Sequence, residues 1–178
     1  MDRRTLITAG ACAGAALAFG RPALAKAVIG QPAPKFSLTT FDHHHVKLAE
    51  LAGKVIVLNY WAVWCGPCKA ELPMIDAYVR KRGGDDLKVF AVTVDDTVSD
   101  NALKPLASVL SFPLVTRIDS MSYGAIDGAI PTNYVIGRDG TLRYAKAAAF
   151  SYDSFAATVE PLLAEAVPPS LPGSSAQG

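Results

Sequence analysis

The chain has little net charge and few charged residues of either sign. Its 178 residues include 17 Lys and Arg and 16 Asp and Glu, so the formal net charge is +1, and no long basic run occurs. A nucleic-acid-binding protein needs a basic patch or stripe to neutralise phosphates, and this composition gives no sign of one. Because 51% of the residues are hydrophobic, we expect one globular domain with a well-formed core.

Cysteine and histidine are also scarce. The three cysteines are Cys12, Cys65 and Cys68, too few for a stabilising disulfide framework. A structural zinc site needs four ligands, and no second cysteine pair exists. The only histidines are residues 43–45. Neighbouring residues of an extended strand point to opposite faces, so we expect surface loop histidines there and predict no metal site.

No apolar run reaches the roughly 20 residues that span a bilayer as a helix. A run of about 15 apolar or small residues follows Arg3-Arg4, and residues 23–25 (ALA) place small side chains where a signal peptidase reads them. We therefore predict an export signal over residues 1–25, and the paired arginines with Leu6 fit the twin-arginine type. The alternative is an uncleaved anchor, the only case in which the protein would contact a membrane.

Cleavage of the signal would leave a mature domain over residues 26–166, followed by a flexible Ser- and Gly-rich tail over residues 167–178. The expected location is the bacterial periplasm. This oxidising compartment is one in which a pair of thiols has redox work to do.

The most informative feature that is present is the pentapeptide WCGPC at residues 64–68. It follows the apolar run 55–60, which predicts a central strand covered on both faces. It also opens a helix-compatible stretch over residues 67–82. A helix N-terminus lowers the pKa of a thiol beside it, and the thiolate is the nucleophile. A Cys-x-x-Cys at a strand-to-helix junction therefore indicates a two-electron redox site.

The rest of the chain predicts alternating strands and helices. Further strands are expected at 36–38, 45–48, 87–94, 114–116, 133–136 and 141–146, and further helices at 99–109 and 152–166. Pro105 is expected to interrupt the first of these helices, and Ser151 or Asp153 to cap the second. A tight turn at 138–140 (RDG) joins the last two strands. The pattern predicts an α/β fold in which helices flank a central mixed sheet.

This arrangement resembles the thioredoxin fold and, more narrowly, the exported thiol-disulfide oxidoreductases of the TlpA/ResA type. The matching segments are residues 59–69, 71–73, 130–132 and 135–140. The resemblance implies a thioredoxin-like domain with an N-terminal β-hairpin extension. It also implies a client protein with a disulfide or cysteine pair, a membrane thiol-electron transporter as the reductant, and no organic cofactor.

Three residues have predicted roles in the chemistry. Cys65, exposed at the helix N-terminus, would be the attacking thiol, and the more buried Cys68 would resolve the mixed disulfide. Glu71 occupies the slot in which ResA-like proteins carry a proton-transferring glutamate. If it is partly buried, its pKa should rise, so that it exchanges protons with the cysteine pair near neutral pH.

The remaining candidates are predicted to contact the client. By resemblance, Pro131 has a cis peptide bond and exposes the backbone of Ile130 to an extended substrate. Trp64 borders the thiols, whereas Trp61 is expected to pack in the core. The dipeptide 66–67, formed by Gly66 and Pro67, sets the local geometry and is the one found in reducing thioredoxins.

A reductant is the favoured function, and three alternatives are open. A disulfide-forming oxidant would differ in reduction potential. A copper carrier of the Sco type uses Cys-x-x-x-Cys and a distant histidine, but here the spacing is Cys-x-x-Cys and no histidine follows residue 45. A peroxidase of the peroxiredoxin class needs a Pro/Thr motif before its cysteine, and this chain has none in the loop after the strand.

Overall fold

The structure is a computed structural model that describes residues 26–95 and 97–169. The strands are β1 Ser37–Thr40, β2 His45–Lys47, β3 Val55–Trp61, β4 Leu87–Thr93, β5 Leu114–Asp119, β6 Thr132–Ile136 and β7 Leu142–Lys146. The helices are α1 Gly66–Arg82, α2 Asp100–Val109 and α3 Tyr152–Ala164, with a short 3-10 helix, Leu48–Leu51, between β2 and β3.

The strands form one mixed sheet in the order β2-β1-β5-β4-β3-β6-β7. β3, β4 and β5 are parallel, and the remaining neighbours are antiparallel. The βαβ connections through α1 and α2 produce the parallel part, and the two terminal hairpins pair antiparallel with it through β1 against β5 and β6 against β3. The predicted α/β fold with an N-terminal β-hairpin is confirmed.

β3 is an interior strand of the sheet and is buried along its whole length. Its residues alternate between two cores, as the period of two in a strand requires. On one face, side chains including Val57 pack with α1, α2 and α3. On the other face, side chains including Leu58 pack with the N-terminal lead-in and the 3-10 helix. The residues that follow β3 are therefore held at the end of a strand that is covered on both faces.

Two local expectations were wrong. α2 runs without interruption through Pro105. β5 extends to Asp119, beyond the predicted end at Thr116, because its polar second half pairs with β1 of the hairpin extension. Ser151 caps α3 as predicted: its side chain accepts a hydrogen bond from the backbone N–H of Ser154.

The predicted export signal, residues 1–25, lies outside the described residues, as does most of the predicted tail. Across the part of the chain that the structure describes, no helix combines the length and the apolar character needed to cross a membrane.

Candidate redox site

The cysteine pair lies at the junction between β3 and α1. Cys65 is the N-cap of α1, and its sulfur accepts a hydrogen bond from the backbone N–H of Cys68 at 3.2 Å. The two sulfurs are joined in a disulfide. The first turn of a helix has N–H groups without intrahelical partners, and here one of them is directed at the Cys65 sulfur. The same N–H would stabilise a Cys65 thiolate after reduction.

Cys65 is less accessible than the sequence predicts. It is 5% exposed in the disulfide form, and Cys68 is fully buried. The prediction of an exposed Cys65 is therefore wrong for this form, although the order of burial is as expected. The cover comes partly from the segment before β6, because the Ile130 carbonyl oxygen lies 3.9 Å from the Cys65 sulfur. A disulfide sulfur has no proton to donate, so this is a contact rather than a hydrogen bond.

Two predicted client-binding residues lie on that segment. The peptide bond between Ile130 and Pro131 is cis, as the resemblance implied. Pro131 is buried and Ile130 is half-buried, directly before the first residue of β6. The chain therefore brings Ile130 to the disulfide from 65 residues away in sequence.

The other predicted client-binding residues face solvent. Trp64 is 68% exposed directly before the disulfide, and Gly66 and Pro67 are exposed between its two cysteines. Trp61, at the end of β3, is 2% exposed and packs in the core, as expected. Exposed apolar residues thus border a nearly covered disulfide.

Glu71 lies one turn after Cys68 on α1 and is only 2% exposed. Its carboxylate accepts three hydrogen bonds. Oε1 accepts from the Asn133 side-chain amide at 2.8 Å and from the Phe150 backbone N–H at 2.6 Å, and Oε2 accepts from the Asn59 side-chain amide at 2.8 Å. A buried carboxylate without such partners would be strongly disfavoured.

Burial raises the pKa of Glu71, and the three hydrogen bonds partly offset this effect because they favour the ionised form. Desolvation is the larger influence. The upward direction of the pKa is the one that the sequence predicts for this position.

The sequence did not point to the partners of Glu71. Asn59 and Asn133 lie opposite each other in the antiparallel pair β3 and β6, and both are fully buried. A polar residue inside an otherwise apolar strand was the available signal for Asn59. No local pattern could place Asn133 or the Phe150 N–H beside Glu71, because both come from distant parts of the chain.

The histidines lie where the sequence predicts, in and beside the hairpin turn. All three are exposed, and His44 Nδ1 lies 3.0 Å from an Asp42 carboxylate oxygen. Among the described residues, no group of three His, Cys, Asp or Glu side chains is placed to hold a metal ion.

This fold and site define a recognised class of protein. The chain belongs to the AhpC/TSA family, whose pattern matches residues 29–145, more than half of the sequence. The thiol-disulfide oxidoreductase ResA of Bacillus thuringiensis (strain Al Hakam) is 31% identical over 120 residues, which cover 65% of this chain and 67% of the relative. Within the family, the chain is therefore a thiol-disulfide oxidoreductase of the ResA type.

Solved structures agree with this assignment. A thiol:disulfide interchange protein of the thioredoxin family from Chlorobium tepidum TLS superposes with a TM-score of 0.64 and 25% identity, over 75% of this chain and 96% of that one. The pneumococcal exposed lipoprotein thioredoxin from Streptococcus pneumoniae strain TIGR4 superposes with a TM-score of 0.58 and 25% identity, over 72% and 99%.

Proposed function

We propose that this protein is an exported reductant that keeps particular cysteines of envelope proteins in the thiol form. The observation that carries the proposal is the position of Cys65 at the N-cap of α1, with the Cys68 N–H directed at its sulfur. The dipeptide between the cysteines is the one found in reducing thioredoxins, which favours donation of electrons over disulfide formation.

The proposed reaction has two steps. The Cys65 thiolate attacks one sulfur of a client disulfide, so that a Cys65–client bond forms and the other client sulfur leaves as a thiolate. Cys68 then loses its proton and attacks the Cys65 sulfur, which re-forms the Cys65–Cys68 disulfide and releases the second client sulfur. Two electrons pass to the client, and solvent protonates the released thiolates.

In this scheme Glu71 is the proton acceptor for the cysteine pair. It lies one helical turn beyond Cys68, and burial raises its pKa towards the range in which a carboxyl group exchanges protons near neutral pH. A reduced protein carrying Glu71→Gln should alkylate at Cys65 with a different pH profile. An unchanged profile would remove Glu71 from the reaction.

The client is proposed to be a protein with a disulfide or cysteine pair, such as the haem-binding thiols of an apocytochrome c or the cysteines of a copper site. Its backbone would pair with Ile130 beside Pro131, and its side chains would contact Trp64. A membrane thiol-electron transporter would return the oxidised pair to the dithiol. Residues 1–25 would direct export to the periplasm.

Trapping tests this function directly. In the Cys68→Ser protein the second step is blocked, so Cys65 should hold its clients as mixed disulfides in the envelope of an expressing cell, while a Cys65→Ser protein should hold none. Equal capture by both variants would contradict the proposal.

The reduction potential of the wild-type pair separates a reductant from an oxidant. We expect a value below that of the glutathione pool. A value at or above that of the pool would instead indicate a disulfide-forming oxidant. Stoichiometric, tight copper binding in a titration of the reduced protein would indicate the Sco-type alternative.

A further inference from the structure

Three polar side chains are buried together on the helix-covered face of the sheet: Asn59, Glu71 and Asn133. Asn59 and Asn133 are fully buried, and Glu71 is 2% exposed. The two amides also contact each other, because Asn59 Nδ2 donates to Asn133 Oδ1 at 2.8 Å. A buried cluster of this kind is stable only when its donors and acceptors match.

A backbone carbonyl fixes the orientation of the whole cluster. Asn133 Nδ2 donates to the carbonyl oxygen of Ala148 at 3.1 Å. A carbonyl can only accept, so the amide nitrogen of Asn133 must lie on that side and its oxygen on the other. The Asn133 oxygen can only accept a hydrogen bond, so the Asn59 amide must turn its nitrogen towards it. Both amides are thereby forced to present N–H groups to Glu71.

The unpaired atom of the cluster supports this reading. Asn59 Oδ1 is buried and has no hydrogen-bond partner among the described residues, which is unfavourable. Turning the Asn59 amide over would not help, because Oδ1 would then face two other acceptors, Glu71 Oε2 and Asn133 Oδ1. The cluster leaves one acceptor unpaired and in return directs three donors at one carboxyl group.

Three convergent donors suit a carboxylate, which only accepts, and not a carboxylic acid, whose O–H would face one of them. Within the part of the chain that the structure describes, few other titratable groups face Glu71. β3 and β6 contribute only the two amides, and the segment after β7 contributes backbone groups. β7 contributes Tyr144, whose pKa is raised by burial and by the Glu71 charge. α1 contributes Cys68, which does not titrate in the disulfide.

We propose that Asn133 is a positioning residue of the redox site: held by the Ala148 carbonyl, it directs its own amide and that of Asn59 at Glu71 and thereby stabilises the carboxylate form inside the protein. Asn133 lies two residues after Pro131, so the strand that begins at the client-binding segment also sets the charge of the proton acceptor. The inference deepens the proposed role of Glu71.

The test measures the titration of Glu71 in the oxidised protein, where neither cysteine titrates. The side-chain carboxyl carbon of Glu71 is followed by NMR against pH and is assigned by its loss in Glu71→Gln. Asn133→Ala removes one donor and frees the Asn59 amide to turn. We expect the midpoint to rise by about one pH unit, a tenfold change in proton affinity, because a hydrogen bond to a charged group is lost.

Two further variants make the result decisive. Asn133→Val also lacks a donor but suits a strand, so it gives the same measurement if the alanine variant does not fold. Tyr134→Phe is the control: it lies next to Asn133 on β6, faces the other core, and loses a hydrogen bond to the Gly124 carbonyl. Its midpoint should match that of the wild type.

A midpoint that is unchanged or lower in both Asn133 variants would overturn the inference, as would an equal rise in Tyr134→Phe. The measurement involves no client and no turnover. Failure here would therefore leave the dithiol function intact, and failure of trapping by Cys68→Ser would leave this result intact.

Discussion

The indole of Trp64 is 68% exposed beside a disulfide that is almost completely covered. An exposed aromatic side chain at the rim of a buried reactive group is well placed to bind a protein partner. We therefore expect Trp64→Ala to lower kcat/KM for reduction of a disulfide-containing protein by roughly tenfold, with the melting temperature unchanged. Reduction of a small aromatic disulfide should proceed at the wild-type rate.

Tyr152→Ala is the matched control for that measurement. Tyr152 is also an exposed aromatic residue, but it packs against Tyr78 on α1 instead of beside the disulfide. It should leave kcat/KM for the protein substrate unchanged. A similar loss in both variants would show that the effect of Trp64 does not come from client contact.

The ionisation of Glu71 also affects stability. Burial raises its pKa in the folded protein, so the folded state binds this proton more tightly than the unfolded state. Its contribution is fully present below the unfolded pKa of about 4.3 and is lost as pH rises through the folded value. The unfolding free energy of wild type minus that of Glu71→Gln should therefore fall as pH rises, measured by urea denaturation of the oxidised proteins. A difference that is constant or grows with pH would contradict this.

At the scale of elements, the sequence predicts most clearly those segments whose local signals agree with their final environment. β3 is apolar almost throughout and is buried on both faces. The turn before β7 has Gly140 at a φ of 75°, where glycine is favoured. By contrast, the length of β5 depends on its pairing with β1, and no sequence pattern in residues 117–119 indicates this pairing.

The site shows the same division. Cys65, Cys68 and Glu71 could be predicted because they share one helix and its preceding residue. The covering of Cys65 and the amide cluster around Glu71 could not, because they depend on the register of β3 against β6, in which Asn59 lies opposite Asn133. Long-range register of this kind is set by the packing of whole strands.

The N-cap of α3 gives a test at the element scale. The Ser151 side chain accepts from the Ser154 backbone N–H at 3.2 Å, and the Ser154 side chain accepts from the Ser151 N–H at 2.9 Å. Ser151→Ala should lower the unfolding free energy by about 1 kcal/mol, measured in urea. Thr158→Ala, on the same helix, removes a side-chain hydrogen bond to the Ser154 carbonyl but leaves the cap in place, and it should change the unfolding free energy by less than about 0.5 kcal/mol. Equal effects would show that the cap contributes nothing specific.

At the scale of the whole molecule, the Arg138 cluster and the redox site lie at opposite ends of the strand β3. Arg138, after β6, donates to the Gly53 carbonyl at 3.1 Å, the Leu163 carbonyl at 2.8 Å and the Asp86 carboxylate at 2.7 Å. Gly53 precedes β3, Leu163 lies in the last turn of α3, and Asp86 precedes β4. Arg138 therefore joins four segments near the start of β3, whereas the disulfide follows the end of that strand, and the Arg138 side chain is only 9% exposed.

Arg138→Met should lower the unfolding free energy by about 2–3 kcal/mol, because the hydrogen bonds of a buried charged donor are lost. The loss is limited because Asp86 keeps its hydrogen bonds to Arg82. Arg143→Met is the control: Arg143 lies on the neighbouring strand, and its ion pairs with Asp139 and Glu165 are partly exposed. It should cost less than about 1 kcal/mol. Urea denaturation measures both, and neither variant should alter the pH profile of Cys65 alkylation.

The Phe150 N–H has a wider consequence. It donates to Glu71 Oε1 at 2.6 Å from the segment that leads into α3. When Glu71 is ionised, this amide is held by a full negative charge, and when Glu71 is neutral, it is held more weakly. The rate at which this single amide exchanges its hydrogen with deuterated solvent should therefore depend on the ionisation of Glu71 beyond the ordinary effect of pH. The exchange rate of this one amide, in the segment before the last helix, thus reports whether Glu71 is protonated.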